Sequence, residues 1–197
     1  MKKIIFVIPI MLFVALFSCD DKSTTTTTSD STKIATDTTL LVLKDIRDSS
    51  DKAWEFMIKS DDQKISDIMR LLQEISYCKK YNVLLLDSLN AAMKTMKDKR
   101  YKQLTMTSAE IDEYDAFTDH IIARVKYLGS TVKDIQEHPL AETLYADIAS
   151  ADNDIVRYRN LYDNFAFAYN DYLEANKKSL GDKAKDFQKL PVFRLPA

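Results

Sequence analysis

Residues 111–135 read IDEYDAFTDHIIARVKYLGSTVKDI, and the spacing of the seam residues in this stretch decides the fold. Ile111, Tyr114, Thr118, Ile121, Val125, Leu128, Val132 and Ile135 recur at alternating intervals of three and four. An α-helix gathers such positions onto one face, whereas a half-buried strand needs every second residue apolar. Thr107 followed by Glu110 forms a capping-box signature at the start of the run. His138-Pro139 marks its expected end, because proline disfavours a helical residue before it.

The same period runs through Leu144, Ile148, Ala151, Ile155, Tyr158, Tyr162, Phe165, Tyr169 and Tyr172, with Gly181 a candidate terminator beyond. Upstream, Leu43, Ile46, Ser50, Ala53 and Met57 lead into Ile65, Ile68, Leu72 and Ile75. The phase slips near Asp61 by about the amount an α-helix drifts against a strict heptad. The pattern predicts one helix over 40–78, bent near Ser60-Asp61. A shorter helix follows through Val83, Leu86, Leu89, Met93 and Met96, and then a polar connection from Lys97 to Thr107. The chain has only 2 glycines, so long helices are the natural outcome. The expected fold is all-α: an elongated antiparallel bundle of about four long helices over 40–178. A non-helical or partly helical tail, 179–197, is expected to pack on it.

The N-terminus reads differently. Lys2 and Lys3 precede an apolar run from Ile4 to Phe17 of 14 residues, short of the roughly 20 that span a bilayer. This is the pattern of a secretory signal peptide, 1–18. Leu16-Phe17-Ser18-Cys19 resembles a lipobox, in which the cysteine thiolate accepts a diacylglyceryl group and becomes the first mature residue. Residues 19–39 are mostly Asp, Ser, Thr and Lys, and bury too little apolar surface to offset chain entropy. They read as a lipidated, disordered, Thr-rich tether, with an end-to-end distance of roughly 25 Å. The expected location is the bacterial cell envelope. The membrane anchor would be the lipid on Cys19, on a periplasmic or cell-surface face, with the outer membrane favoured.

Composition narrows the chemistry. The formal charge is −2 and no basic stripe stands out, so nucleic acid is not an expected partner. Cys78 is the only cysteine besides Cys19 and reads as a small buried or half-buried thiol, with an intermolecular disulfide as the alternative. The acidic groups Asp61-Asp62, Glu110 to Asp115 and Asp152 to Asp154 read as solvent-facing or as helix N-terminal charges. The 2 histidines, His120 and His138, follow Phe117 and Ile135 at three residues' distance, so neither makes a Glu-x-x-His pair. No His-Glu-x-x-His motif or calcium loop is present. No catalytic residue, metal ligand or cofactor is assigned.

The densest feature is YRNLYDNFAFAYNDY, Tyr158 to Tyr172. Tyr158, Tyr162, Phe165, Tyr169 and Tyr172 face the seam, and buried tyrosines keep a partner for the hydroxyl. Asp152 and Arg159 flank that seam one heptad apart, and Asp163 lies four residues after Arg159. They read first as partners for the tyrosines and second as a polar ligand site. Phe167 points off the seam, where Phe187, Pro191 and Phe193 of the tail are expected to fold over it. The candidate binding residues are therefore Asp152, Arg159, Tyr162, Asp163, Phe167 and Tyr169. Trp54 is expected in the core.

Arg159-Asn160-Leu161-Tyr162-Asp163, followed by Tyr169-Asn170, resembles the LemA family, whose last long helix carries Arg-x-x-Tyr-Asn and a second Tyr-Asn seven residues on. Phe187, Pro191 and Phe193 are similar to that family's tail, and Ala53-Trp54 with Lys64, Ile68, Leu71-Leu72 and Ile75 to its first helix. The chain departs from the family at Asp163, at Met69-Arg70 where the family has Pro-Asn, and in its lipobox where the family keeps an uncleaved membrane helix. The resemblance implies an extracytoplasmic helical bundle, here a divergent lipoprotein branch. The expected function is a non-catalytic interaction or scaffold module that binds an envelope protein or a second copy of itself. The alternative is a sensory or binding protein with a small ligand between its helices. Replacing Cys19 with Ala should abolish incorporation of labelled palmitate and move the protein out of the detergent phase. A variant that still carries label would refute lipidation at Cys19.

Overall fold

The computed structural model describes residues 28–193. The expected signal peptide, Cys19 and the first part of the expected tether lie outside that range, as do residues 194–197. α1 spans Thr28–Ser76, α2 Val83–Thr95, α3 Ser108–Ser130, α4 Pro139–Ala175 and α5 Lys177–Leu180. Short 3-10 turns cover Lys97–Lys99, Ile135–Glu137 and Gly181–Asp186. The fold is all-α, with no strand among the described residues. No helix among them is long and apolar enough to cross a membrane.

Pairs between helices fix their directions. Thr36, Lys64 and Glu74 on α1 meet Ser179, Asp152 and His138, so α1 and α4 run antiparallel. Asp61 meets Tyr114 and Lys79 meets Asp134, so α3 runs parallel to α1. α2 starts beside the end of α1, and Lys97, just beyond its end, reaches Asp62. Successive helices therefore alternate in direction. At 1.5 Å per residue α1 is roughly 73 Å long and α4 roughly 55 Å. α2 and α3 flank α1 only from about Asp61 onward. Along the earlier half of α1, α4, α5, the tail and the α2–α3 connection supply the packing.

The core follows the heptad positions. Leu43, Ile68, Leu72 and Ile75 of α1, Leu89 of α2, Leu128 of α3 and Leu144 of α4 are fully buried. Each such side chain gains roughly 1.5–3 kcal/mol on burial. Cys78 is a free, buried thiol, as expected. Burial pushes its pKa up, and the neighbouring carboxylates of Asp134, Glu74 and Glu137 push it further. The capping box forms as read: Thr107 Oγ1 accepts from Glu110 N at 3.3 Å, and Thr107 N donates to Glu110 Oε2 at 2.9 Å. Asn82 caps α2 by accepting from Leu85 N at 3.1 Å.

Two expected boundaries are corrected. Composition predicts a disordered tether through residue 39, yet α1 begins at Thr28. Tertiary partners override the polar composition there. Thr36 Oγ1 donates to the Ser179 carbonyl at 2.9 Å, and Thr39 is buried with its hydroxyl on the Ala35 carbonyl at 3.0 Å. The third helix was read through to His138, yet α3 stops at Ser130. Gly129 is a poor helix former, and the hydroxyls after it compete for backbone carbonyls. Ser130 Oγ donates to Tyr127 O at 2.8 Å and Thr131 Oγ1 to Leu128 O at 2.7 Å. Val132 stays buried without being helical, and Asp134 turns back to accept from Lys79 N at 2.9 Å.

Gly129 lies where α3 passes α4. A Cβ there would overlap the Tyr145 hydroxyl, with Ile75 Cδ1 at 3.7 Å. Gly129→Ala gains about 1 kcal/mol of helix propensity but overpacks the contact, at about 1–3 kcal/mol. Urea unfolding should show a net loss of about 1 kcal/mol in the wild-type background. In a Tyr145→Phe background, where the overlapping oxygen is gone, the loss should shrink or reverse.

Candidate functional site

The polar centre of the molecule is built on Asp61, which the heptad frame places four residues from Met57 and four from Ile65. It is 3% exposed, and its neighbour in the frame, Lys64, is 4% exposed. A carboxylate buried this deeply is costly unless paired and hydrogen-bonded. Arg100 supplies the first partner, donating from Nε to Asp61 Oδ2 at 2.8 Å and from Nη2 to Asp62 Oδ1 at 2.8 Å. Tyr114 of α3 donates its hydroxyl to Asp61 Oδ2 at 2.5 Å. Lys64 Nζ stands 3.5 Å from Asp61 Oδ1 and 3.1 Å from Asp152 Oδ1 on α4. One carboxylate thus gathers groups from α3 and the α2–α3 connection, and through Lys64 from α4.

A second hub sits on α4. Arg159 grips Asp115 of α3 with Nη1–Oδ2 at 2.7 Å and Nη2–Oδ1 at 2.6 Å, and Nη2 donates to the Tyr101 hydroxyl at 2.8 Å. Such bidentate, charge-assisted pairs are the strong ones. Tyr101 bridges the two hubs: its ring stands edge-on to Tyr114 at 5.7 Å, and its hydroxyl points to Met57 Sδ at 3.9 Å. The Arg159 guanidinium also covers the Phe193 ring at 5.1 Å.

Electrostatics follow this geometry. Burial pushes Tyr101 up to about 12, against the opposing pull of Arg159. Burial likewise raises Tyr114, and the Asp61 charge raises it further. Burial pushes Tyr162 up to about 12. For Asp62, burial acts upward, but hydrogen bonds from Arg100 and Lys97 outweigh it and hold the carboxyl below its usual range. A cleft of about 210 Å³ opens beside the hubs, lined by Asp61, Lys64, Arg100, Asp115, Asp152 and Arg159 among others. That lies below the roughly 300–1,000 Å³ of most small-molecule sites. Asp61 Oδ1 and Arg159 Nε are buried without a hydrogen bond and belong to residues lining it. Chemically the arrangement neutralises its own charges and keeps its hydroxyls protonated at neutral pH.

The six candidate residues do not form one site. Asp152 and Arg159 share the cleft. Tyr162 and Asp163 instead hold the tail: the Tyr162 hydroxyl donates to the Pro191 carbonyl at 3.0 Å, and Phe193 N donates to Asp163 Oδ1 at 2.8 Å. Tyr169 belongs to a separate hollow of about 540 Å³ with Leu43, Arg47, Leu104 and Phe187. Phe167 is half-buried, but it is not the seat of Phe193. That ring packs against Trp54, Tyr101 and Tyr162 at 6.1, 5.7 and 5.6 Å. Trp54, expected in the core, is half-buried as one wall of this aromatic box.

The reading of Asp61 as solvent-facing is corrected by its burial, while Asp62, Asp115, Asp152 and Asp154 remain partly exposed. Sequence reasoning missed Lys64, Arg100, Tyr101, Tyr114 and Asp115 as site residues. The available signal was the seam position of Asp61 itself, a charge flanked by apolar heptad residues that needs a buried partner.

The tyrosines give a pH test. The folded protein holds the Tyr101 and Tyr162 protons to about pH 12, whereas an unfolded tyrosine releases its proton near 10. Their contribution is therefore intact below pH 10 and lost as pH rises toward 12. Urea unfolding at pH 11 should show a fall of about 1 kcal/mol per tyrosine relative to pH 9, and Tyr101→Phe should reduce the fall by about one such share. Stability independent of pH over this window would contradict the burial of these hydroxyls.

No family model matches this chain, nor does any curated protein or solved structure.

Proposed function

We propose that the protein is a lipid-anchored lipoprotein of the cell envelope that works as a non-catalytic helical interaction or scaffold module, a divergent LemA-like protein. The carrying observation is the position of its exposed apolar side chains. Tyr77, Val83, Leu84 and Tyr127 are 60%, 54%, 82% and 64% exposed. They lie at the end of the bundle opposite Thr28, where Lys79 meets Asp134. α1 would hold this end roughly 73 Å from its own start. An anchor before Thr28 and an apolar far end are the two features a spacer between a membrane and a partner protein needs. Seven other large apolar side chains among the described residues are exposed along the bundle, as is ordinary for single ones, and the four at this end are the group we read as a contact surface. The charged centre supports the same reading, because its ionic groups are engaged in joining helices.

A photo-crosslinking residue placed at Leu84 in the native membrane should capture a discrete protein. The same residue at exposed Asn160, on α4, should not capture it. Equal yields from both positions, or none from Leu84, would overturn the contact surface.

A further inference from the structure

The last described segment lies in its groove as a recognised peptide does. Asn170 engages Leu190 with both ends of its amide: Nδ2 donates to the Leu190 carbonyl at 2.9 Å, and Leu190 N donates to Oδ1 at 2.7 Å. The Tyr162 hydroxyl reads the next carbonyl, that of Pro191, and Asp163 reads the Phe193 N–H. Four hydrogen bonds thus follow the non-helical backbone from 190 to 193. Leu190 is buried, and Phe193 enters the box of Trp54, Tyr101, Tyr162 and Arg159. Side-chain groups reading the main chain, with pockets for separated side chains, are the chemistry of extended-peptide recognition.

The route into the groove differs in character. Residues 181–183, 185 and 186 are exposed. Gly181 has φ +55° with open space where a Cβ would stand. A tightly read segment at the end of an exposed connection is the arrangement that allows exchange between copies.

We propose that the groove accepts the Leu190–Phe193 segment of a second copy of this chain, so that two protomers exchange tails. The second copy is the occupant because it carries the sequence the groove already fits. Exchange preserves every contact described above and changes only which chain supplies it. Anchoring of both copies in one membrane would raise their effective concentration. This names a partner for the interaction module and rests on that reading only for the membrane effect. Its test uses the isolated chain, so its failure would leave the outcome at Leu84 untouched.

Two full-chain variants test it in detergent solution. One carries Tyr162→Phe and Asn170→Ala, which weaken the groove and leave the tail intact. The other carries Leu190→Ala and Phe193→Ala, which weaken the tail and leave the groove intact. In an equimolar mixture the intact tail of the first fits the intact groove of the second. Native mass spectrometry should show a heterodimer at least tenfold more abundant than either homodimer at equal concentration. Two folded variants that stay as monomeric in the mixture as alone would overturn the exchange. Should either variant fail to fold by circular dichroism, a labelled peptide of residues 186–193 decides on the wild-type chain. Saturable binding that a scrambled peptide lacks supports the groove as open to a tail in trans, and no binding up to millimolar concentration refutes it.

Discussion

The buried carboxylate of Asp61 is the constraint on which the arrangement of helices depends. Hydrophobic packing drives the helices together but is non-directional. A seam repeating every three or four residues fits nearly as well after a slip of one turn. A buried carboxylate does not tolerate that slip, because an unpaired charge in the interior costs several kcal/mol. Asp61 finds its partners in one register only, with Arg100 and Tyr114 on Oδ2 and Lys64 beside Oδ1. Lys64 carries the constraint on to Asp152. The best-attested role of buried polar groups in helical assemblies is this selection of register, rather than net stability.

The second consequence concerns the half of α1 that α2 and α3 do not cover. Its apolar face would lie open before Asp61 if nothing replaced them. Tyr101, on the connection that also supplies Arg100, reaches toward Trp54, and Phe193 closes the box from the other side. The tail therefore completes a layer that two helices leave unfinished. Arg159 ties this completion to the charged centre, since its guanidinium holds Asp115 and Tyr101 and covers Phe193. Arg100 and its neighbour Tyr101 thus stand between Asp61 and the seat of the tail.

The helices were legible because their signals are local. The three-four spacing from Ile111, the Thr107 capping box and the scarcity of glycine all act within a few residues. The tertiary determinants were not, because they span the chain. Thr36 is helical partly because of Ser179, 143 residues away. Asp61 was read as a surface charge because Arg100 and Tyr114 stand 39 and 53 residues further on. Arg159 stands out in the sequence by its place beside the seam, but its partner Asp115 is hidden within a run of mostly exposed acids. The tail was readable as something that docks, from its apolar content against two prolines. Its seat was misplaced onto Phe167, because the aromatic box draws its walls from α1, α4 and the α2–α3 connection.

The interior charges of the molecule are engaged in joining its helices, and its length is set by one of them. The account stands on the coupling between Asp61 and Arg100, which a double-mutant cycle measures directly. Asp61→Asn, Arg100→Gln and the double variant would be unfolded in urea at pH 7. The account predicts a coupling energy of about 2 kcal/mol or more, the single losses being large and the double loss far less than their sum. Losses that add to within about 0.5 kcal/mol would contradict it.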